Sequence, residues 1–165
     1  MIEAPTRVYV GVGGNVGDVE TTLAEAMWAL DSLPQTSMRA QSRMYRTPPW
    51  GNTDQPPFIN AVVELQTRLA PRVLLDLLLD IELRFGRNRS EGEKWGPREL
   101  DLDLLMYGDE QLDEPGMHLP HPHLHERAFV LVPLAEIAPK LEIFGVGTVS
   151  ELLKAVDTTG IEAID

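Results

Sequence analysis

Four runs of strand character and two helical stripes alternate through residues 7–107, in an order that few folds accommodate. RVYVGV (7–12) is β-branched and aromatic and stops at glycines, which reads as a strand. GGNVGD (13–18) reads as a turn. Asp18 stands where it can cap a helix whose apolar stripe is Val19, Leu23, Met27, Leu30 and Leu33. TSMRAQSRMYRT (36–47) alternates and reads as one strand, PPWGNTDQPP (48–57) as a loop, and FINAVVELQT (58–67) as a further strand. Pro71 suits the first turn of a helix to Phe85, with Gly86 as its stop. Residues 87–98 are polar, with Gly92, Gly96 and Pro97, and read as an exposed mobile loop before the strand ELDLDLLMY (99–107). Strand–helix–strand–strand–helix–strand is the order of a split βαβ, ferredoxin-like core, an α+β antiparallel sheet with helices packed on it. A C-terminal extension follows. HERAFVLVPLAEIAP (125–139) is helical in pattern but interrupted by Pro133, and TVSE (148–151) is a capping box that opens a last helix.

At 165 residues the chain fits one domain, 1–165, large enough to bury a proper core. Its net charge of −12 argues against a general nucleic-acid binder and against an anionic membrane surface. With no cysteine there are no disulfides, thiolate metal sites or cysteine nucleophiles. No stretch has the length of a membrane span and the N-terminus lacks a leader pattern, so a cytoplasmic protein is expected. Basic residues are unevenly spread: Arg84, Arg87, Arg89, Lys94 and Arg98 cluster, as for a small anionic ligand or simply a solvated helix end and loop.

Asp101 and Asp103 are the least expected residues. In a strand they project to one face, while Leu100, Leu102, Leu104 and Met106 take the other. Adjacent carboxylates repel unless a cation lies between them. Carboxylates without cysteine suit a hard ion such as magnesium, which takes one or two of them together with substrate phosphates. The alternative is a strand edge with a solvent-facing side. GVGGNVG fails as a dinucleotide fingerprint because Val16 takes the third glycine position, which leaves a tight turn with close backbone packing. All 4 histidines fall in HLPHPHLHE (118–126), but the prolines and the spacing disfavour zinc; one or two histidines donating to phosphate fit better. Phe58 and Phe129 are core or stacking residues. Trp50 and Trp95 lie in Gly/Pro-rich loops, where a tryptophan covers a ligand or packs the loop itself.

KWGPRELDLDLL, YRTPPWG, DQPPFINAVVEL, IELRFGR and LPHPHLHERAFVLVPLAEIAP together resemble, in order, the segments of the 6-hydroxymethyl-7,8-dihydropterin pyrophosphokinase family of folate biosynthesis. The resemblance runs from about residue 7 to residue 140. It implies transfer of the β,γ-pyrophosphoryl group of ATP to the pterin hydroxymethyl oxygen, with AMP leaving. It implies two magnesium ions held by Asp101 and Asp103. Thr47, Pro48 and Trp50 would border the pterin, Asn60 would read its amide edge, and Phe58 and Phe129 would sandwich the ring. Glu82, Arg89, Trp95, His121 and Arg127 match nucleotide-side positions, and the backbone near Leu104 matches the adenine-reading strand. Arg87 and Arg98 match loop arginines that close on the phosphates. Pro122 departs from a tyrosine found in some members, and the 87–95 loop carries an insertion relative to shorter ones. The expected partners are ATP and the pterin, with no nucleic acid or membrane, and the chain is expected to be a monomer. Two other readings compete: a metal-dependent phosphohydrolase using the aspartates and histidines, and a non-catalytic ligand-binding module on the same fold.

Overall fold

The computed structural model describes residues 4–48, 54, 56–85, 100–143 and 145–164. Strand β1 (Thr6–Gly14) lies between β4 (Phe58–Thr67) and β5 (Asp101–Tyr107), antiparallel to both. Strands β2 (Thr36–Gln41) and β3 (Met44–Thr47) both pair with β4, giving the expected ferredoxin-like order. Helices α1 (Val19–Asp31) and α2 (Pro71–Arg84) cover one face of this sheet. Val8, Val10, Val12, Val63, Leu65, Leu102 and Leu104 meet Leu23, Met27 and Leu30 of α1 and Leu74, Leu78 and Ile81 of α2 there. Asp18 caps α1 as its position predicts, accepting from the N–H of Thr21, and Pro71 opens α2. Gly86, the expected stop of α2, lies outside the described residues.

The C-terminal extension covers the other face, except that its first hairpin packs Met117 and Leu119 into the helix-side core. It comprises the hairpin β6 (Leu112–Glu114) and β7 (Met117–Leu119), helix α3 (Ala128–Ile137), the pair β8 (Glu142–Ile143) and β9 (Gly147–Thr148), helix α4 (Val149–Lys154) and strand β10 (Glu162–Ile164). Val130, Leu131 and Leu134 of α3, with Leu124, Ile143 and Val149, bury Tyr9, Val62, Leu105 and Met106 of the sheet. β10 returns to the sheet and pairs with β3 at its edge. Thr148 and Glu151 form the capping box read from TVSE.

The sequence reading misplaces several details. The run 36–47 is two strands, because Ser42 intervenes: its N–H donates to the Val62 carbonyl, and its hydroxyl accepts the Val62 N–H, each at 2.9 Å. A side-chain oxygen thus stands in for a ladder carbonyl. β1 continues through Gly13 and Gly14, which were expected in the turn, because both remain paired with β4. Met106 does not join Leu102 and Leu104. The register moves from Tyr9↔Met106 to Val10↔Leu104, and this bulge turns Met106 to the α3 face. The 125–139 helix is interrupted at Arg127 rather than at Pro133. A separate 3-10 turn, Leu124–Glu126, precedes it, and α3 runs on through the buried Pro133.

Candidate active site

Strand register builds the floor. Gly13 lies opposite Asn60 on one side and opposite Asp101 on the other; Gly11 lies opposite Val62 and Asp103. Cross-strand partners share a face, so Asn60, Asp101 and Asp103 all project to the side that carries α3. Both aspartates are half-buried. The same alternation puts Phe58, opposite Thr47, and Tyr45, opposite Asn60, on this face. The glycines keep the strip between them clear. A Cβ on Gly13 would stand 2.3 Å from Asn60 Oδ1, inside any allowed contact. Asn60 in turn points its amide at Thr47, donating from Nδ2 to Oγ1 at 3.5 Å, and Thr47 is buried. Asn15 donates from Nδ2 to the Pro56 carbonyl at 3.0 Å, which ties the segment after β1 to the chain just before β4.

The rim comes from the extension. The His121 N–H donates to the Leu105 carbonyl at 2.8 Å, fastening this segment along the outer edge of β5. Burial, then the charges of Arg127, His123 and His118, lowers the His121 pKa to about 4, so its ring is neutral near pH 7. The His123 N–H points at His121 Nδ1 at 3.3 Å, which assigns the ring proton to Nε2 and leaves a neutral donor. The Arg127 guanidinium sits 5.7 Å from the centre of the half-buried Phe129 ring, in cation–π range.

Not every expected residue joins this face. Glu82 reaches β5 from α2, behind the sheet: it is 2% exposed, and its Oε2 accepts the Leu102 N–H at 2.7 Å. It therefore holds the residue between the two aspartates. Leu104 turns its side chain into the helix-side core, so only its backbone is available toward a ligand. Pro48 is exposed at the end of β3. Trp50, Arg87, Arg89, Trp95 and Arg98 lie outside the described residues, as does the whole 87–98 loop. Among the described residues no cluster of three or more acidic or histidine side chains could hold a metal by itself, and no helix is long and apolar enough to cross a membrane. Sequence reasoning missed the role of Gly13. It also missed Tyr45, whose hydroxyl donates to Glu136 of α3; the only local signal was a tyrosine beside the Thr-Pro-Pro stretch.

Asn60 and the paired carboxylates along one glycine strip, with a neutral imidazole, a guanidinium and an aromatic ring brought by the extension, make a donor set suited to phosphate chemistry on a ferredoxin-like fold. The family profile described as 7,8-dihydro-6-hydroxymethylpterin-pyrophosphokinase matches residues 9–139. A 2-amino-4-hydroxy-6-hydroxymethyldihydropteridine pyrophosphokinase of Methylorubrum extorquens is 48% identical over 97% of this chain and 99% of its own. Its counterpart from Pseudomonas aeruginosa is 45% identical over 96% of each chain. The fold is also that of crystallised Plasmodium falciparum HPPK-DHPS with pteroate, at a TM-score of 0.73 and 12% identity, over 92% of this chain but 44% of that longer one. This chain belongs to the 7,8-dihydro-6-hydroxymethylpterin-pyrophosphokinase family.

Proposed function

We propose that this chain transfers the pyrophosphoryl group of ATP to the hydroxymethyl oxygen of 6-hydroxymethyl-7,8-dihydropterin, releasing AMP, as a step of folate biosynthesis. The observation that carries this reading is the register of β1: it sets Asn60 and the aspartate pair on either side of one glycine strip, on the face that α3 closes. Asn60, backed by Thr47, presents an amide to the polar edge of a flat heterocycle, while Phe58 and Phe129 offer ring faces. His121 and Arg127 supply donors for phosphate oxygens, and His121 does so without needing to be charged.

Asp101 and Asp103 fit magnesium. They are hard oxygen donors on one face, next to glycines that leave room, and too few to complete a coordination shell without phosphates and water. Two ions held there would neutralise phosphate charge and lower the pKa of the acceptor hydroxyl. Glu82 keeps the strand between the aspartates in place from behind. Arg87 and Arg98 are assigned to the transferring group, Arg89 and Trp95 to the nucleotide, and Pro48 and Trp50 to the border of the pterin. The chain works as one domain over 1–165, monomeric and cytoplasmic, and its charge of −12 suits small-molecule substrates better than nucleic acid.

A coupled assay of AMP formation tests the reaction. AMP is expected only when ATP, magnesium and the hydroxymethyl pterin are all present. Phosphate release without pterin would replace this reading with a phosphohydrolase, and ligand binding without turnover would replace it with a binding module.

A further inference from the structure

Helix α3 is tied to the sheet edge by a polar cluster outside the substrate-facing set. The buried Tyr45 hydroxyl of β3 donates to Glu136 Oε1 near the end of α3. The backbone N–H of Arg43 donates to Glu136 Oε2 at 3.0 Å, and its Nε donates to Oε1 at 3.2 Å. Arg43 Nη2 also donates to the Tyr45 hydroxyl at 3.3 Å. Burial works against the charge of Glu136, but the bonds from Tyr45 and Arg43 outweigh it and hold the carboxyl below its ordinary range. The guanidinium contact is largely exposed and contributes little. The Tyr45 ring is held on β3 and the Arg43 N–H belongs to the two-residue link before it, so these two donors carry the constraint.

The two ends of this bond lead to the pterin side of the site. Tyr45 lies opposite Asn60 and two residues before Thr47, on the same face as both. Glu136 follows Phe129 by two helical turns, so the two share one side of α3. β3 cannot give way outward: Ala163 of β10 pairs with Tyr45, and Gly160 packs so close to Pro48 that a Cβ there would stand 2.9 Å from its Cγ. We propose that Tyr45 and Glu136 are positioning residues for the pterin, setting the gap between Phe129 on α3 and Thr47, Phe58 and Asn60 on β3 and β4. This rests on the pyrophosphokinase reading and adds to it a determinant of pterin fit that touches no substrate.

The test uses the full chain with Tyr45→Phe, Glu136→Ala, Glu136→Gln and the Tyr45→Phe/Glu136→Ala pair. Tyr45→Phe removes one oxygen and keeps the ring, so folding is retained. The pterin dissociation constant should rise about tenfold in Tyr45→Phe, as for a misplaced binding wall. That of a non-hydrolysable ATP analogue should stay within about twofold. KM for the pterin should rise more than kcat falls. The double variant should be no worse than the poorer single, since each single variant already breaks the Tyr45–Glu136 bond. Glu136→Gln, which keeps an oxygen to accept from Tyr45, should recover part of what Glu136→Ala loses. A Tyr45→Phe protein that melts lower yet binds pterin normally would reduce the pair to a structural brace and overturn the inference. Equal weakening of both ligands would overturn it too, as general loosening. Active wild type with unaffected variants sinks this inference alone. Wild type without pterin-dependent AMP formation sinks the reaction and the inference together.

Discussion

Gly13→Ala is the substitution whose effect follows most directly from the geometry. The residue sits in ordinary extended backbone, so alanine brings no backbone strain; the whole effect comes from one methyl group. That methyl would stand 2.3 Å from Asn60 Oδ1 and 3.4 Å from the Ile59 carbonyl. Asn60 must withdraw by roughly 1 Å or change rotamer, and an off-rotamer side chain costs about 0.5–1.5 kcal/mol. The bond to Thr47 is long at 3.5 Å and would be lost, leaving a buried hydroxyl short of a donor. That loss adds about 1 kcal/mol, the low end for such a group. Together they lower the melting temperature by about 3–10 °C in a chain of this size. The effect on pterin is larger: an amide displaced by that distance should raise its KM by about 10- to 100-fold, with the ATP KM nearly unchanged. Gly11→Ala is the internal control for stability, since its nearest neighbours would lie at 3.7 Å, an ordinary contact. Its melting temperature should match wild type. Thermal melts and the AMP-coupled assay with each substrate varied make both measurements. Wild-type pterin KM in Gly13→Ala would refute the argument that this glycine exists to admit Asn60.

Further outcomes are expected elsewhere in the site. Asp101→Ala or Asp103→Ala should abolish turnover at any magnesium concentration while the fold holds or gains slightly, because one of two neighbouring carboxylates is gone; retained magnesium-dependent activity would remove the metal assignment. Phe129→Ala should weaken pterin by about 0.5–1.5 kcal/mol beyond lost area and spare an ATP analogue, whereas equal weakening of both in calorimetry would make the ring plain core. His121 should remain neutral until the pH falls toward 4. Its folded pKa lies below the unfolded value of 6.5, so its contribution to stability is complete above 6.5 and is lost progressively as pH falls to about 4. NMR titration of the imidazole checks the pKa, and His121→Asn should flatten that limb of the stability–pH curve; an imidazole titrating near 6.5 would contradict the burial argument.

Much of this protein is legible in its sequence because the signals are local. Periodicity, proline, glycine and caps act within a turn or a strand, so the order of the core elements (apart from the split of 36–47), Asp18 at the start of α1, Pro71 at the start of α2 and the Thr148–Glu151 box stand as read. The aspartates share a face because the period of two is a property of the strand backbone itself. The separated motifs placed the chain in its family, because several motifs in one order are far more specific than any one of them.

Register is not local, and there the sequence was silent. Nothing in GVGG indicates that Gly13 will lie between Asn60 and Asp101, because that follows from how three distant strands slide against one another. The bulge that turns Met106 away from Leu104 arises from the same pairing. The resemblance puts Glu82 on the nucleotide side; only the packing of α2 behind β5 shows that it accepts the Leu102 N–H. The bond from Tyr45 to Glu136 spans 91 positions, and it exists only because the extension folds back over the sheet face that carries Asn60, Asp101 and Asp103. Local stereochemistry dictated the pieces. Burial of both faces of one sheet decided which of their side chains meet.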